Sequence, residues 1–134
     1  MKKFRLHTVA LVFFIAAGFT SCSDDDTSSP ALTTKQSFVS LVTGATTADI
    51  NQEISLTVTF AVDNSCGSFN KFVETTADKT KTIAVEAKYV GNNCGTTPAT
   101  KTEPYKFKAA TAGTYVLKFK KSATEFVTHN VVVD

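Results

Sequence analysis

The feature that most constrains the fold of this chain is a strict alternation of apolar and polar side chains near its centre. Every second position between residues 54 and 62 is apolar, namely Ile54, Leu56, Val58, Phe60 and Val62. Successive side chains of a β-strand point to opposite faces, so this pattern predicts a strand with one buried face and one solvated face. A second apolar layer must then cover the buried face.

Six further segments have strand character. The clearest of them span residues 83–89, 105–109 and 115–119, and three less regular ones span residues 38–42, 69–75 and 126–133. Turn-forming residues, such as Asp63-Asn64 and Gly91-Asn92, separate these segments. About seven short strands with one-sided alternation predict an all-β fold, an antiparallel β-sandwich, with a small barrel as the alternative.

One part of this pattern resembles a known fold family. The run from Ala112 to Leu117 resembles the turn and strand start found in immunoglobulin-like domains, and the resemblance extends over residues 104–133. It implies an immunoglobulin-like β-sandwich for residues 37–134. The chain contains no Trp, so the antibody type of that fold is not implied.

The first 21 residues have the layout of an export signal. Three positive charges lie within the first five residues, and an apolar run follows from Val9 to Phe19. As a helix this run would be about 16 Å long, which is too short for a hydrocarbon core of about 30 Å. The pattern therefore predicts a removable signal and no permanent membrane span.

Cys22 stands directly behind this apolar run. The stretch from Gly18 to Cys22 resembles the lipobox of bacterial lipoproteins, although Phe19 occupies a position where an aliphatic residue is usual. The resemblance implies a signal peptide over residues 1–21 and acylation of Cys22, which would anchor the chain in a membrane. The alternative is an ordinary secretory signal that is cut after Ala16 or Gly18.

An acidic run, Asp24 to Asp26, follows Cys22 almost at once. It resembles the signal that carries lipoproteins of the Bacteroidota to the outer face of the outer membrane. The resemblance implies an outer-membrane protein exposed at the cell surface, with a periplasm-facing location as the alternative. We predict that residues 22–36, rich in Asp, Thr, Ser and Pro, form a flexible acidic tether.

The chain has three cysteines. If Cys22 is acylated, Cys66 and Cys94 remain as a pair, and each lies between turn-forming residues and a glycine. An exported protein folds in an oxidising compartment, so we predict a Cys66–Cys94 disulfide. We expect no metal site, because neither cysteine belongs to a C-x-x-C motif and His129 is the only histidine beyond the leader.

Charge limits the classes of partner. Three of the 14 basic residues belong to the leader, so the rest of the chain nearly balances its 12 acidic residues and has no Arg beyond Arg5. A nucleic acid is therefore not an expected partner. Four lysines fall on the polar faces of two strands that we expect to pair as a hairpin: Lys106, Lys108, Lys118 and Lys120. Such a basic stripe would either bind an acidic glycan or merely maintain solubility and protect a sheet edge.

No motif in the sequence specifies a reaction. A catalytic triad cannot be argued from a single histidine, no serine has a nucleophile elbow around it, and the glutamates are dispersed. We therefore expect a non-enzymatic binding or adhesion module that needs no cofactor and contacts a glycan or an envelope protein. The alternatives are an accessory subunit of an outer-membrane assembly and an enzyme such as a hydrolase.

Overall fold

The computed structural model describes residues 30–134, and within that range it contains nine strands and no helix that could cross a bilayer. The predicted signal peptide, Cys22 and the first part of the predicted tether lie outside the described residues. The strands are β1 (Leu32–Ser37), β2 (Val39–Gly44), β3 (Thr47–Ala48), β4 (Glu53–Val62), β5 (Gly67–Ala77), β6 (Thr80–Val90), β7 (Ala99–Lys108), β8 (Gly113–Lys120) and β9 (Phe126–Val133).

The strands form two sheets packed face to face. One sheet has three strands in the order β2-β4-β7. The other has six strands in the order β1-β6-β8-β9-β3, with β5 paired to the remaining edge of β6. The all-β, two-layer architecture predicted from the alternating pattern is confirmed.

Strand β4 supplies the centre of the core, as its sequence predicts. The side chains of Leu56, Val58 and Phe60 are fully buried, whereas the residues between them point outward. Strand β6 does the same in the opposite sheet through Ile83 and Val85. Each alternating strand buries its apolar face against the other layer, which is the main source of stability in such a fold.

A chain of aromatic rings links the two sheets. The ring of Phe72, on β5, lies 5.1 Å from that of Tyr105 on β7, and the two rings meet edge to face. Phe69 stacks between Phe72 and Phe60 at centroid distances of 4.7 and 6.2 Å. These tilted and edge-on geometries are the favoured arrangements of aromatic pairs, so the rings add directional contacts to the burial.

The strand count differs from the predicted seven, because the seven predicted strands are all present and β1 and β3 are additional. Strand β3 is only two residues long and pairs with the end of β9. Strand β1 lies within residues 22–36, for which a flexible tether was predicted, so the tether prediction was wrong at its C-terminal end. Five of the six residues of β1 are exposed, and pairing with β6 orders them without any apolar alternation.

The prediction of a purely antiparallel arrangement was also wrong. Strands β6 and β8 are parallel neighbours, and so are β3 and β9. Between β6 and β8 the chain crosses to the other sheet, runs back along it as β7, and returns. A single intervening strand in the opposite layer makes β6 and β8 run in the same direction.

Candidate functional site

The predicted disulfide joins two loops at one end of the sandwich. Cys66 lies in the turn between β4 and β5, Cys94 lies in the loop between β6 and β7, and their Cα atoms are 5.1 Å apart. The hydroxyl of Ser65 donates a hydrogen bond to the carbonyl of Cys94 at 2.7 Å. The prediction of a Cys66–Cys94 bridge is confirmed, and the bridge closes the loops on each other.

Gly91 permits the close approach of these loops. Its φ of +125° is rarely adopted by residues with a side chain, and a Cβ at this position would lie 3.3 Å from the sulfur of Cys66. Both the backbone conformation and the close packing against the disulfide therefore favour glycine at position 91.

Beside the disulfide lies a cleft of about 430 Å³ that contains an ion pair between Lys35 and Asp63. The Asp63 amide donates a hydrogen bond of 3.1 Å to the hydroxyl of Tyr89. Hydrogen bonding to the Asp63 carboxylate, followed by its charge, raises the pKa of Lys35. Both charged side chains are more than half exposed, so the pair orients the loop and adds little stability.

The described residues contain no group of three or more His, Cys, Asp or Glu side chains that could hold a metal ion. Both described cysteines are joined in the disulfide. The Nε2 atom of His129 lies 3.0 Å from the carbonyl oxygen of Ala45, and this contact connects β9 to the segment before β3. This contact gives His129 a structural role.

The predicted single stripe of four lysines is not present. Lys106 and Lys108 lie on β7, which pairs with β4 in the three-stranded sheet. Lys118 and Lys120 lie on β8, which pairs with β6 and β9 in the six-stranded sheet. The prediction that these strands are hairpin partners was wrong, because the connection between β7 and β8 crosses between the sheets. The two lysine pairs therefore point outward from opposite layers.

The two lysine pairs also differ in their partners. Lys106 forms an ion pair of 2.9 Å with Glu53 on the neighbouring strand, and hydrogen bonding to this carboxylate raises the pKa of Lys106. Within residues 30–134, no carboxylate lies at ion-pairing distance from Lys118 or Lys120. Lys118 and Lys120 thus keep their charge available for an external anion.

Lysines of neighbouring strands join Lys118 and Lys120 on the outer face of the six-stranded sheet. Lys88 on β6 alternates with the buried Ala87, and Lys71 on β5 lies opposite Glu86 on β6. We call this surface the basic face; its lysines are Lys71, Lys88, Lys118 and Lys120. Glu86 contributes a negative charge there, and it is held by the Asn70 amide at 2.7 Å and by Lys71 at 3.6 Å.

A cleft of about 310 Å³ opens in the basic face where two strands share one edge of β6. Ile83 pairs with Phe119 of β8, and two residues further on Val85 pairs with Ser37 of β1. The strands meet end to end beside Ala84 and leave a gap, which we call the seam cleft. Its lining includes Gln36, Thr75, Thr82, Ala84, Glu86 and Lys120.

The seam cleft combines an apolar floor with a polar rim. Ala84 forms part of the floor, the hydroxyls of Thr75 and Thr82 and the amide of Gln36 can donate or accept hydrogen bonds, and Lys120 supplies a positive charge. Its volume is at the lower end of the range of small-molecule sites.

Glu86 also lines the cleft, but its carboxylate is held by Lys71 and by the Asn70 amide, so Lys120 is the unpaired charge of the lining. The arrangement suits a small polar ligand with a negative charge, such as one acidic sugar unit.

Sequence reasoning found only part of this site. It identified Lys118 and Lys120, but it placed Gln36 in a tether and did not single out Lys71 or Lys88. The turn at residues 77–80 was a usable signal, because a tight hairpin there pairs β5 with β6 and brings Lys71 opposite Glu86. No local signal indicated that β1 and β8 share an edge of β6.

Comparisons with known protein families, with curated proteins and with solved structures found no match to this chain.

Proposed function

We propose that this chain is a lipid-anchored, non-enzymatic binding module of the bacterial cell envelope that contacts an anionic glycan through its basic face. One observation carries the proposed contact: Lys120 lines the seam cleft and forms no ion pair with any described residue. The cleft opens on the basic face, where lysines outnumber acidic residues. The proposed location is the outer membrane, exposed at the cell surface.

The disulfide supports an exported location. Bridges of this kind persist in oxidising compartments, and the bridge uses both described cysteines. Cys22 is the third cysteine of the sequence and lies outside the described residues. A cysteine at the end of an apolar leader is the acylation site that the resemblance to lipoproteins implies, and several acyl chains on one residue give stable anchoring.

We further propose that the sandwich is of the immunoglobulin-like kind. The two sheets packed face to face, in which most neighbouring strands are antiparallel, favour this assignment. The parallel pairs β6–β8 and β3–β9 are departures, because strands of the immunoglobulin fold pair antiparallel within each sheet. The domain is therefore proposed as a variant of that fold.

The anchor is tested with two cysteine variants of the full chain expressed in a bacterium that acylates lipoproteins. Cys22→Ser should lose incorporation of labelled palmitate and should no longer float with membrane vesicles. Cys66→Ser, the matched control, removes a different cysteine and should keep the label. Equal labelling of Cys22→Ser and the parent chain would contradict the proposed anchor, and protease treatment of whole cells reports surface exposure.

The glycan contact is tested with matched lysine pairs. We expect Lys118→Gln together with Lys120→Gln to weaken binding to immobilised polygalacturonate about tenfold, equivalent to about 1.4 kcal/mol. The control pair, Lys106→Gln with Lys108→Gln, removes the same charge from the opposite sheet and should bind as the parent does. Equal losses for both pairs would indicate unspecific charge attraction, and no loss for either would remove the basic face as a binding surface. Neutral dextran should not be retained.

A further inference from the structure

The start of the described chain and the disulfide lie at the same end of the sandwich. Leu32, the first residue of β1, pairs with Val90 at the end of β6. The loop that carries Cys66 ends at Gly67, which pairs with Tyr89 near the end of β6. The loop that carries Cys94 begins directly after Val90, so both loops lie at this end. We call this end the disulfide pole; it comprises the start of β1 and residues 63–66 and 91–98.

The opposite end, which we call the distal pole, contains the connections at residues 49–52, 78–79 and 109–112 and the last residue, Asp134. Backbone hydrogen bonds hold these parts together, for example from the Ile50 amide to the carbonyl of Asp134 at 3.0 Å and from the Asn51 amide to the carbonyl of Ala109 at 2.7 Å. The two poles are therefore built from separate sets of loops.

Charge distinguishes the two poles. The distal pole carries three acidic residues, Asp49, Asp78 and Asp134, against one lysine, Lys79. At the disulfide pole, the carboxylate of Asp63 is paired with Lys35, and residues 91–98 contain no charged side chain. An anionic bilayer surface would therefore repel the distal pole more strongly than the disulfide pole.

The disulfide pole also exposes apolar side chains. Leu32 and Val90 lie directly opposite each other on neighbouring strands, and they are 64% and 44% exposed. Apart from Asp63, the two loops of this pole contain no charged side chain. Such a surface is compatible with the headgroup region of a bilayer, where apolar tips can reach the acyl boundary.

We infer that the disulfide pole rests on the lipid surface that holds the acylated Cys22, so that the distal pole points away from the membrane. The inference depends on the proposed acylation. Ala31 lines the cleft beside the disulfide, and nine residue steps separate it from Cys22, a span of about 30 Å at most when fully extended. The 11 residues of β6 alone are about 36 Å long. The connection is therefore too short to let the distal pole reach the same bilayer.

This orientation fixes what the rest of the molecule can contact. The strands stand roughly along the membrane normal, so the basic face and the seam cleft open sideways above the lipid. The loops of the distal pole are the outermost part of the domain. An envelope glycan can then reach Lys120 without displacing the domain from the membrane.

The absence of Trp from the chain makes a direct test practical. Single-tryptophan variants Val90→Trp and Val132→Trp place a probe at the disulfide pole and near the distal pole, about 40 Å apart along the strands by the register. Both valines are partly exposed on the outer face of the six-stranded sheet, at 44% and 38%. The acylated full protein is reconstituted in vesicles of phosphatidylcholine and phosphatidylglycerol with brominated acyl chains.

We expect the brominated lipid to quench the fluorescence of Val90→Trp at least twofold and to leave Val132→Trp unchanged. Equal quenching of both probes, or quenching of Val132→Trp alone, would overturn the inference. Leu32→Trp probes the same pole if Val90→Trp does not fold. Flotation of the vesicles separates the two proposals: protein that does not float contradicts the anchor, whereas floating protein with an unquenched Val90→Trp contradicts only the orientation.

Discussion

Tyr105 and Phe119 pack edge to face between the two sheets, with ring centroids 5.3 Å apart and planes inclined at 88°. This contact fixes the Tyr105 ring in the core, where the residue is only 1% exposed. Among the described residues, its hydroxyl is the one buried side-chain polar group that has no hydrogen-bond partner. The aromatic contact therefore stabilises the fold, while the hydroxyl on the same ring opposes it.

Tyr105→Phe should consequently increase stability. The change keeps the aromatic contacts with Phe72 and Phe119 and removes a buried hydroxyl that has lost its hydration without gaining a partner. An unsatisfied buried group costs about 1–3 kcal/mol, so we expect the free energy of unfolding to rise by about 1 kcal/mol. Urea unfolding followed by circular dichroism measures the difference.

Tyr89→Phe is the matched control for this change. The Tyr89 hydroxyl accepts a hydrogen bond from the Asp63 amide, so its removal should lower the free energy of unfolding by about 1 kcal/mol. The two Tyr→Phe variants should therefore shift the urea midpoint in opposite directions. A loss of stability in Tyr105→Phe would show that its hydroxyl has a partner, such as the nearby carboxylate of Glu74 or a bound water.

The same tyrosine predicts an alkaline dependence of stability. Burial, and to a smaller extent the negative charge of Glu74, raises the pKa of Tyr105 above its ordinary value near 10. The unfolded chain therefore loses this proton at lower pH than the folded protein does. Below pH 10 the phenol is neutral in both states and its ionisation does not affect stability. As the pH rises from 10 towards the folded-state pKa, ionisation of the unfolded chain lowers the free energy of unfolding.

We expect the free energy of unfolding of the parent protein to fall above pH 10 more steeply than that of Tyr105→Phe, by up to about 1.36 kcal/mol per pH unit. Lysines titrate in both proteins, so their contribution cancels in the comparison. Urea unfolding at intervals between pH 8 and pH 11.5 gives the two curves. Parallel curves over the whole range would refute the raised pKa.

Removal of the disulfide should destabilise the domain substantially. The bridge joins residues 28 positions apart, and in the chain-entropy model closure of such a loop contributes roughly 3.5 kcal/mol. Cys66→Ala with Cys94→Ala should lose about this amount in urea unfolding. Reductant should shift the parent to the midpoint of the double variant and leave the variant itself unchanged. A parent midpoint that reductant does not move would indicate that the bridge contributes no stability.

Alternation in the sequence was sufficient to locate most of the strands. Strand β4 shows why: its apolar residues fall on every second position, and these same residues are the buried ones. One-sided burial imposes this pattern on any strand at a sandwich interface. The alternating pattern therefore identifies the inward-facing side chains of a strand even when its neighbouring strands are not known.

The same local pattern could not assign strands to sheets. Tyr105 and Phe107 on β7 face the core from one layer, and Leu117 and Phe119 on β8 face it from the other. Alternation is identical in the two cases, and a short connection suits a hairpin as well as a crossing between sheets. The position of the lysines on opposite faces depends on that choice, so the candidate site could be predicted only in part.

Strand β1 was missed for a related reason. Its sequence is polar, it buries only Ser37, and its order comes from backbone pairing with β6. Composition correctly indicates that such a segment cannot form a core of its own. It does not show that an edge of β6 remains available beyond the end of β8 for the segment to bind.

A chain shortened to begin at Phe38 tests whether β1 belongs to the folded unit. The six residues of β1 pair with residues 85–90 of β6, and their ladder hydrogen bonds outweigh the entropy of ordering the strand. Compared with a chain that begins at Pro30, the shortened chain should be less stable to urea by about 2 kcal/mol. It should also lose the wall of the seam cleft that Gln36 forms.

Hydrogen exchange on the longer chain provides the matching measurement if the shortened chain does not fold. Amides of β1 that bond to β6 should exchange much more slowly than unstructured amides, because they open only when the strand detaches. If Leu32 to Gln36 behaved as a flexible tether, their amides would exchange at the unprotected rate and the two chains would unfold at the same urea concentration. That result would remove β1, and with it the seam cleft, from the folded domain.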